Sequence, residues 1–225
     1  MPFNYRWCLL VVTGVVSMGR LANATNLPVG TTINLSGTTL AARPELASTD
    51  VANQTLPFSF TNTATGGQVS GTLFDDVSRE TATGTLDFSY QVTLNAGSSP
   101  AGAIRTSGFT GFSTDVDFRI DSTGTIDPNE AQRFSGSEAG FLNFIFSNTP
   151  MTAGTVSQYD FVKTTATTYN DSGLTDISAD FGAGATGFSA ELATYAPTPV
   201  PEPSTLLVLP AIAVTVGLRR RRKIA

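Results

Sequence analysis

The side chains best suited to chemistry lie in one acidic run, Asp115-Val-Asp-Phe-Arg-Ile-Asp-Ser-Thr-Gly-Thr-Ile-Asp-Pro-Asn-Glu130. Carboxylate oxygens at this density are the hard ligands that calcium takes. Gly124 and Glu130 fall where an EF-hand loop has its turn glycine and its final bidentate carboxylate. Counting back from them puts Asp121 at the third loop position, but Arg119 at the first and Thr123 at the fifth. A cation in place of the first carboxylate breaks the motif. Alternation within the same run predicts a strand instead, with Val116, Phe118 and Ile120 buried and Asp117, Arg119 and Asp121 on a solvated face. No metal ligand is assigned; a weak extracellular calcium site is the alternative.

Two carboxylates can also run glycoside hydrolysis, one as proton donor and the other as base or nucleophile. Seventeen acidic residues between 25 and 200 supply many such pairs by chance, so none is singled out. The chain has no His, which excludes Ser-His-Asp and Cys-His catalysis and imidazole-bound zinc. Its one cysteine, Cys8, cannot form an intrachain disulfide. Gly182-Ala-Gly-Ala-Thr-Gly187 has the spacing of a dinucleotide fingerprint but no βαβ context, and reads as a turn. Phe109, Phe112, Tyr159, Tyr169 and Tyr195 can stack on sugar rings if exposed, or pack a core if not. No catalytic residue and no cofactor is assigned, and the expectation is a non-enzymatic protein.

The elements that position these residues read as all-β. Residues 25–200 hold 31 Thr, 18 Ser and 18 Gly against one Lys, a composition suited to pleated surfaces joined by turns. In Thr85–Leu94 the residues Leu86, Phe88, Tyr90, Val92 and Leu94 alternate with polar ones, which predicts a half-buried strand with one wet face. Shorter patterns mark strands at 32–35, 56–60, 69–74, 116–120, 141–146, 159–163 and 188–192. Turn residues separate them at Gly66-Gly67, Asn95-Ala-Gly97, Asp121–Gly124, Asp127-Pro-Asn129 and Asp171-Ser-Gly173. About eight strands in one domain spanning 25–196 predict a single β-sandwich or jelly roll.

Charge divides the chain into three. Residues 1–24 carry only Arg6 and Arg20; residues 25–200 carry six basic against 17 acidic residues; residues 201–225 carry Glu202 against Arg219, Arg220, Arg221, Arg222 and Lys223. The formal charge of −5 therefore conceals a body near −11, which repels phosphates and argues against nucleic acid as a partner. A basic residue, an apolar run from Trp7 to Met18 and Ala22-Asn-Ala24 make residues 1–24 a secretory signal peptide, with Ala22 and Ala24 forming the Ala-x-Ala site and cleavage following Ala24. Residues 197–225 are a Pro-rich linker, an apolar span at 204–218 and a basic cluster at 219–223. As a helix the span would be about 22 Å, short of the ~30 Å hydrocarbon core, with Lys and Arg stems able to make up the difference. The positive-inside rule puts the basic cluster in the cytoplasm and the acidic body outside.

The motif Pro201-Glu202-Pro203 followed by Ser204-Thr-Leu-Leu207, the apolar span and Arg219–Arg222 closely resembles the PEP-CTERM sorting signal of Gram-negative bacteria. That resemblance covers about 25 residues. It implies export, retention in the inner membrane through a C-terminal transmembrane helix, and processing by an exosortase-like membrane protease. It also implies display or release at the cell surface alongside exopolysaccharide. The body is similar to the Thr/Gly-rich domains that precede such tails, a resemblance that carries no activity. The expected function is a structural or adhesive component of the envelope or biofilm matrix. A carbohydrate-binding module, with or without calcium, is the alternative, and an acidic-pair hydrolase a more distant one.

Overall fold

The computed structural model describes residues 25–179 and 187–199; the signal peptide, Gly182 and Gly184 of the glycine run, the sorting motif, the apolar span and the basic cluster lie outside them. The described chain is all-β. Its strands are β1 (Thr32–Asn34), β2 (Ser48–Thr61), β3 (Gln68–Glu80), β4 (Leu86–Leu94), β5 (Ala103–Thr106), β6 (Asp115–Arg119), β7 (Glu130–Arg133), β8 (Leu142–Ile145), β9 (Tyr159–Lys163), β10 (Thr168–Ser178) and β11 (Leu192–Thr198). They form two antiparallel sheets, one ordered β2-β3-β4-β9-β6 and the other β1-β7-β8-β5-β10-β11. The sheets face each other across one core, to which the first gives Leu73, Val77, Phe88 and Val162 and the second Ile104, Phe144 and Ile177, all fully enclosed. Among the described residues no helix is long and apolar enough to cross a membrane.

The long strands follow from alternating sequence. Leu86, Phe88, Tyr90, Val92 and Leu94 all point into the core, as the period-two pattern of β4 requires. The prolines sit where a sheet tolerates a missing donor: Pro57 is on β2 and Pro197 on β11, each an edge strand. Threonine is not confined to surfaces. The hydroxyls of Thr106, Thr175 and Thr194 are linked at 3.0 Å to one another, and Thr106 donates to the Tyr90 hydroxyl at 3.0 Å. These polar groups sit inside the sandwich at almost no exposure, satisfied by each other.

Three expectations are corrected. The Asp171-Ser-Gly173 turn lies inside β10, where the register against β11 shifts between Asn170 and Gly173; those residues bulge rather than reverse the chain. Residues 188–192 form no strand of their own: Phe188 makes an isolated bridge to Ser178, and β11 starts at Leu192. The outer face of β4 is not wet. Asp87 is buried there and Ser89 half-buried, because the chain between β1 and β2 crosses over them. Residues 25–26 and 38 first flank the open edge of β6, with bridges from Asn26 to Asp115 and from Thr38 to Arg119. Residues 39–47 then cross to the opposite edge, where Ser48 begins β2. Nine residues reach at most about 30 Å, enough to span five strands spaced ~4.8 Å apart.

This strap turns onto the sheet at Gly37. The backbone at Gly37 is left-handed, with φ of 72°. A Cβ on Gly37 would lie 2.5 Å from Ile120 Cγ2 and 2.6 Å from the Phe118 ring. Gly37→Ala is therefore expected to cost about 1–3 kcal/mol, through the left-handed backbone and the collision together. Urea titration of the variant checks this; an unchanged midpoint would show that the strap does not need its entry angle.

Candidate cleft on the outer face of the five-stranded sheet

Pairing register builds the site. On the face of β3 turned away from the core stand Phe74, Asp76, Ser78 and Glu80, because their neighbours Leu73, Val77 and Arg79 pair with the inward residues Val92, Phe88 and Leu86 of β4. On β2, Asp50 lies opposite Ser78 and Asn53 opposite Asp76. On β4 and β9, Ser89 pairs with Phe161 and Asp87 with Lys163; on β6, Arg119 pairs with Tyr159 and Asp117 with Phe161. The strap roofs one end of this face. Beyond it, Ser48, Asp50, Phe74, Asp76, Ser78, Ser89, Arg119 and Tyr159 line an open cleft of about 240 Å³. The Phe74 and Tyr159 rings meet edge to face, centroids 6.0 Å apart.

The electrostatics of the cleft are one-sided. Asp76 is 8% exposed, and its Oδ1 is buried with no hydrogen-bond partner among the described residues. Burial first, then the charges of Asp50 and Asp75, push its pKa up to about 7. Asp87 lies next to the cleft beneath Leu46; burial pushes it up to about 7 as well, and its Oδ1 also has no partner. The cations nearby are already engaged. Arg119 donates to Asp121 at 2.6 and 3.0 Å, Lys163 pairs with Glu80, and Arg43 is held beneath the strap by Asp115 and Glu45.

The acidic run that leads the sequence is dispersed rather than gathered. Asp115 binds Arg43 and accepts from the Thr25 amide at 2.8 Å. Asp117 accepts from the Gly37 amide at 2.9 Å and from its own neighbour Phe118 at 3.0 Å. Asp121 takes Arg119 and the Leu40 amide, while Glu130 begins β7 in the other sheet. Among the described residues no three acidic groups are arranged to hold a metal ion. The expected solvated face of β6 is also corrected. Asp117 is 4% exposed and Ile120 50%, the reverse of the alternation, since the strap covers Asp117 and the strand ends at Arg119. Burial raises the Asp117 carboxyl, with the two amide donors opposing it.

The aromatic candidates separate as well. Phe109 is enclosed in the core, edge to face with Phe88 at 5.6 Å. Tyr169 and Tyr195 pack on each other at 5.5 Å on the other sheet. Tyr159 alone reaches the cleft. Asp50, Phe74 and Asp76 were not distinguishable in the sequence, because they meet only through the register of β2 against β3. Chemically, the cleft combines two carboxylates, three serine hydroxyls, an aromatic wall and an arginine, Arg119, already paired with Asp121, a set that hydrogen-bonds and stacks on a polyol or binds a cation. No protein-family model, curated protein or solved structure matches the chain.

Proposed function

We propose that this chain is an exported cell-surface or matrix protein that adheres without catalysis. The leader at 1–24 directs export. The tail, with Pro201, Glu202 and Pro203 ahead of the span at 204–218 and the cluster Arg219–Lys223, holds the protein in the inner membrane until an exosortase-like protease cuts near the motif. The sandwich then serves outside the cell as a structural or adhesive component of the envelope or exopolysaccharide matrix. The order of motif, apolar span and basic cluster at residues 201–223 is the observation that carries the sorting half of this reading. The body supports the adhesive half: an acidic, Thr- and Ser-rich sandwich with an aromatic-walled cleft on one face. The intact mass of the secreted protein tests the route and is expected to lack both ends. A secreted mass that still includes residues 204–225 overturns the sorting reading. Retention on isolated matrix polysaccharide tests adhesion and is expected to survive a chelator, because no carboxylate triad is gathered among the described residues. Passage straight through such a column overturns it.

A hydrolytic reading draws on Asp50 and Asp76, since a carboxyl that keeps its proton near neutral pH suits a general acid. Incubation with the retained polysaccharide is expected to release no reducing ends. Release that disappears in Asp76→Asn would make the protein a glycosidase.

A further inference from the structure

The charge of the cleft narrows the kind of sugar it takes. Asp76 is more than nine-tenths buried, yet among the described residues neither a cation nor a donor meets its inner oxygen. Removing a carboxylate from water costs several kcal/mol unless hydrogen bonds or an opposite charge restore it. The surrounding protein supplies neither, because each neighbouring cation already has its own carboxylate: Arg119 has Asp121, Lys163 has Glu80, and Arg43 has Asp115. Asp50 adds a second carboxylate at the cleft's exposed rim. A neutral sugar would leave this excess charge unanswered, and a uronic acid would be repelled by it. A calcium ion needs six to eight oxygens, which these carboxylates are not arranged to give. An organic ammonium needs fewer partners and gains from an aromatic face.

We propose that the cleft binds a hexosamine unit bearing a free ammonium group, with the ammonium at Asp50 and Asp76 and the ring against Tyr159 and Phe74. The room fits one sugar ring: about 240 Å³ falls below the roughly 300–1,000 Å³ of sites for drug-sized ligands. Ser48, Ser78 and Ser89 supply hydroxyls for the ring substituents. The proposal rests on the adhesive reading above and specifies it: the matrix polymer recognised is a partly deacetylated amino-sugar chain.

The test is calorimetric titration of the purified protein with a glucosamine tetramer, its N-acetylated counterpart and a neutral glucose tetramer. The glucosamine tetramer is expected to bind at least about tenfold more tightly than the other two, the scale of a lost charged hydrogen bond. Asp76→Asn and Tyr159→Ala are each expected to weaken it by about tenfold or more, and Asp171→Asn, on the distant β10 bulge, to leave it unchanged. Asp76→Asn removes a buried charge at constant size, so its thermal midpoint is expected not to fall; a folded variant that loses binding separates recognition from stability. Because the ammonium favours the ionised carboxyl, binding near neutral pH is also expected to release a proton, seen as a buffer-dependent heat. Equal affinity for acetylated or neutral tetramers overturns the proposal. So does tighter binding of a lysine-rich peptide, or affinity untouched by Asp76→Asn. Should the protein hold matrix polysaccharide yet ignore glucosamine, this proposal fails while the adhesive function stands.

Discussion

Arg43→Leu is expected to destabilise the sandwich by about 3–5 kcal/mol, the usual loss when one partner of a buried ion pair is removed. Arg43 is 1% exposed although it belongs to a connection rather than a strand. Its guanidinium donates to Glu45 at 2.8 Å and through two nitrogens to Asp115, and it lies 5.6 Å from the Phe161 ring centroid. The contact with Asp115 joins the strap to β6, and the stack on Phe161 joins it to β9. Leucine keeps much of the apolar contact but leaves Asp115, among the described residues, with the Thr25 amide as its one remaining side-chain partner. Asp87 then loses the stronger of the two cations that lower its carboxyl, Arg43 and Arg119, while the charge of Asp115 still raises it, so Asp87 becomes still harder to ionise. At about 2–4 °C per kcal/mol for a domain of this size, the thermal midpoint should drop by roughly 10 °C. Hydrogen exchange should quicken in residues 39–47 before it quickens in the core strands. Arg43→Lys is expected to recover only part of the loss, since one ammonium cannot reach Asp115 bidentately and stack on Phe161 together. Arg43→Leu combined with Asp115→Leu should be milder than the single change, because the carboxylate then left unpaired is Glu45, whose side chain is 40% exposed and open to water. A thermal midpoint unchanged in Arg43→Leu would show that the strap is held by Leu46 and its backbone bonds alone.

The strap also explains which features were legible in the sequence. The class was, because alternation in Leu86–Leu94 and the turn residues between runs are local signals, and β4 and β9 lie where those signals put them. The buried polar face was not. Asp87 and Asp117 read as solvated because alternation reports the pleat and is silent about a connection that returns over the outer face. Four strands, β5, β7, β10 and nearly all of β11, escaped for a related reason. Ala103-Ile-Arg-Thr106 and Glu130-Ala-Gln-Arg133 are short and mixed in polarity, and β10 opens on Thr-Tyr-Asn-Asp-Ser-Gly, a run rich in turn formers. Neighbouring strands select their conformation, as tertiary pairing overrides weak local preference. Arg133 shows the same limit at one residue. It is buried and donates to the carbonyls of Phe109, Phe112 and Ala139 and to the Thr114 hydroxyl, holding two loops with no carboxylate involved. Nothing around Arg133 in the sequence distinguishes it from a surface arginine. The cleft is a product of register in the same way: Asp50 and Asp76 are ordinary acidic residues until β2 and β3 pair.

Buried carboxyls fix the sign of the pH response. The thermal midpoint of the domain is expected to fall as the pH is raised from about 4.5 to about 8. Asp75 faces the core between Tyr90 and β11; burial pushes it up to about 6, against the Gln54 amide and the Tyr195 N–H, which favour its charge. Asp76 and Asp87 are pushed up to about 7, and Asp160, wholly buried beside Tyr90 and Phe118, well above the ordinary carboxylate range. A carboxyl whose pKa is higher folded than unfolded keeps its proton in the native state after the unfolded chain has released its own. Stability is then greatest below the unfolded value of about 4 and is lost as pH climbs through about 6 and 7. For Asp75 alone, a rise of about two units is worth about 3 kcal/mol, at roughly 1.4 kcal/mol per unit. The contributions do not add freely, since Asp75 and Asp76 are adjacent and the charge of Asp75 raises Asp76. Glu45 and Asp121, both lowered, act in the opposite sense, but they are well solvated and titrate below the window. The net negative charge of the body also works against the fold at high pH, so the two causes must be separated. Salt screens the surface repulsion within about 10 Å and leaves the enclosed Asp75 almost untouched. Asp75→Asn keeps the size and the acceptor for the Tyr195 amide. The midpoint of that variant should therefore fall less steeply with pH than the parent's, at low salt and high salt alike. A parental slope abolished by salt, or retained in full by Asp75→Asn, would move the cause from the core to the surface.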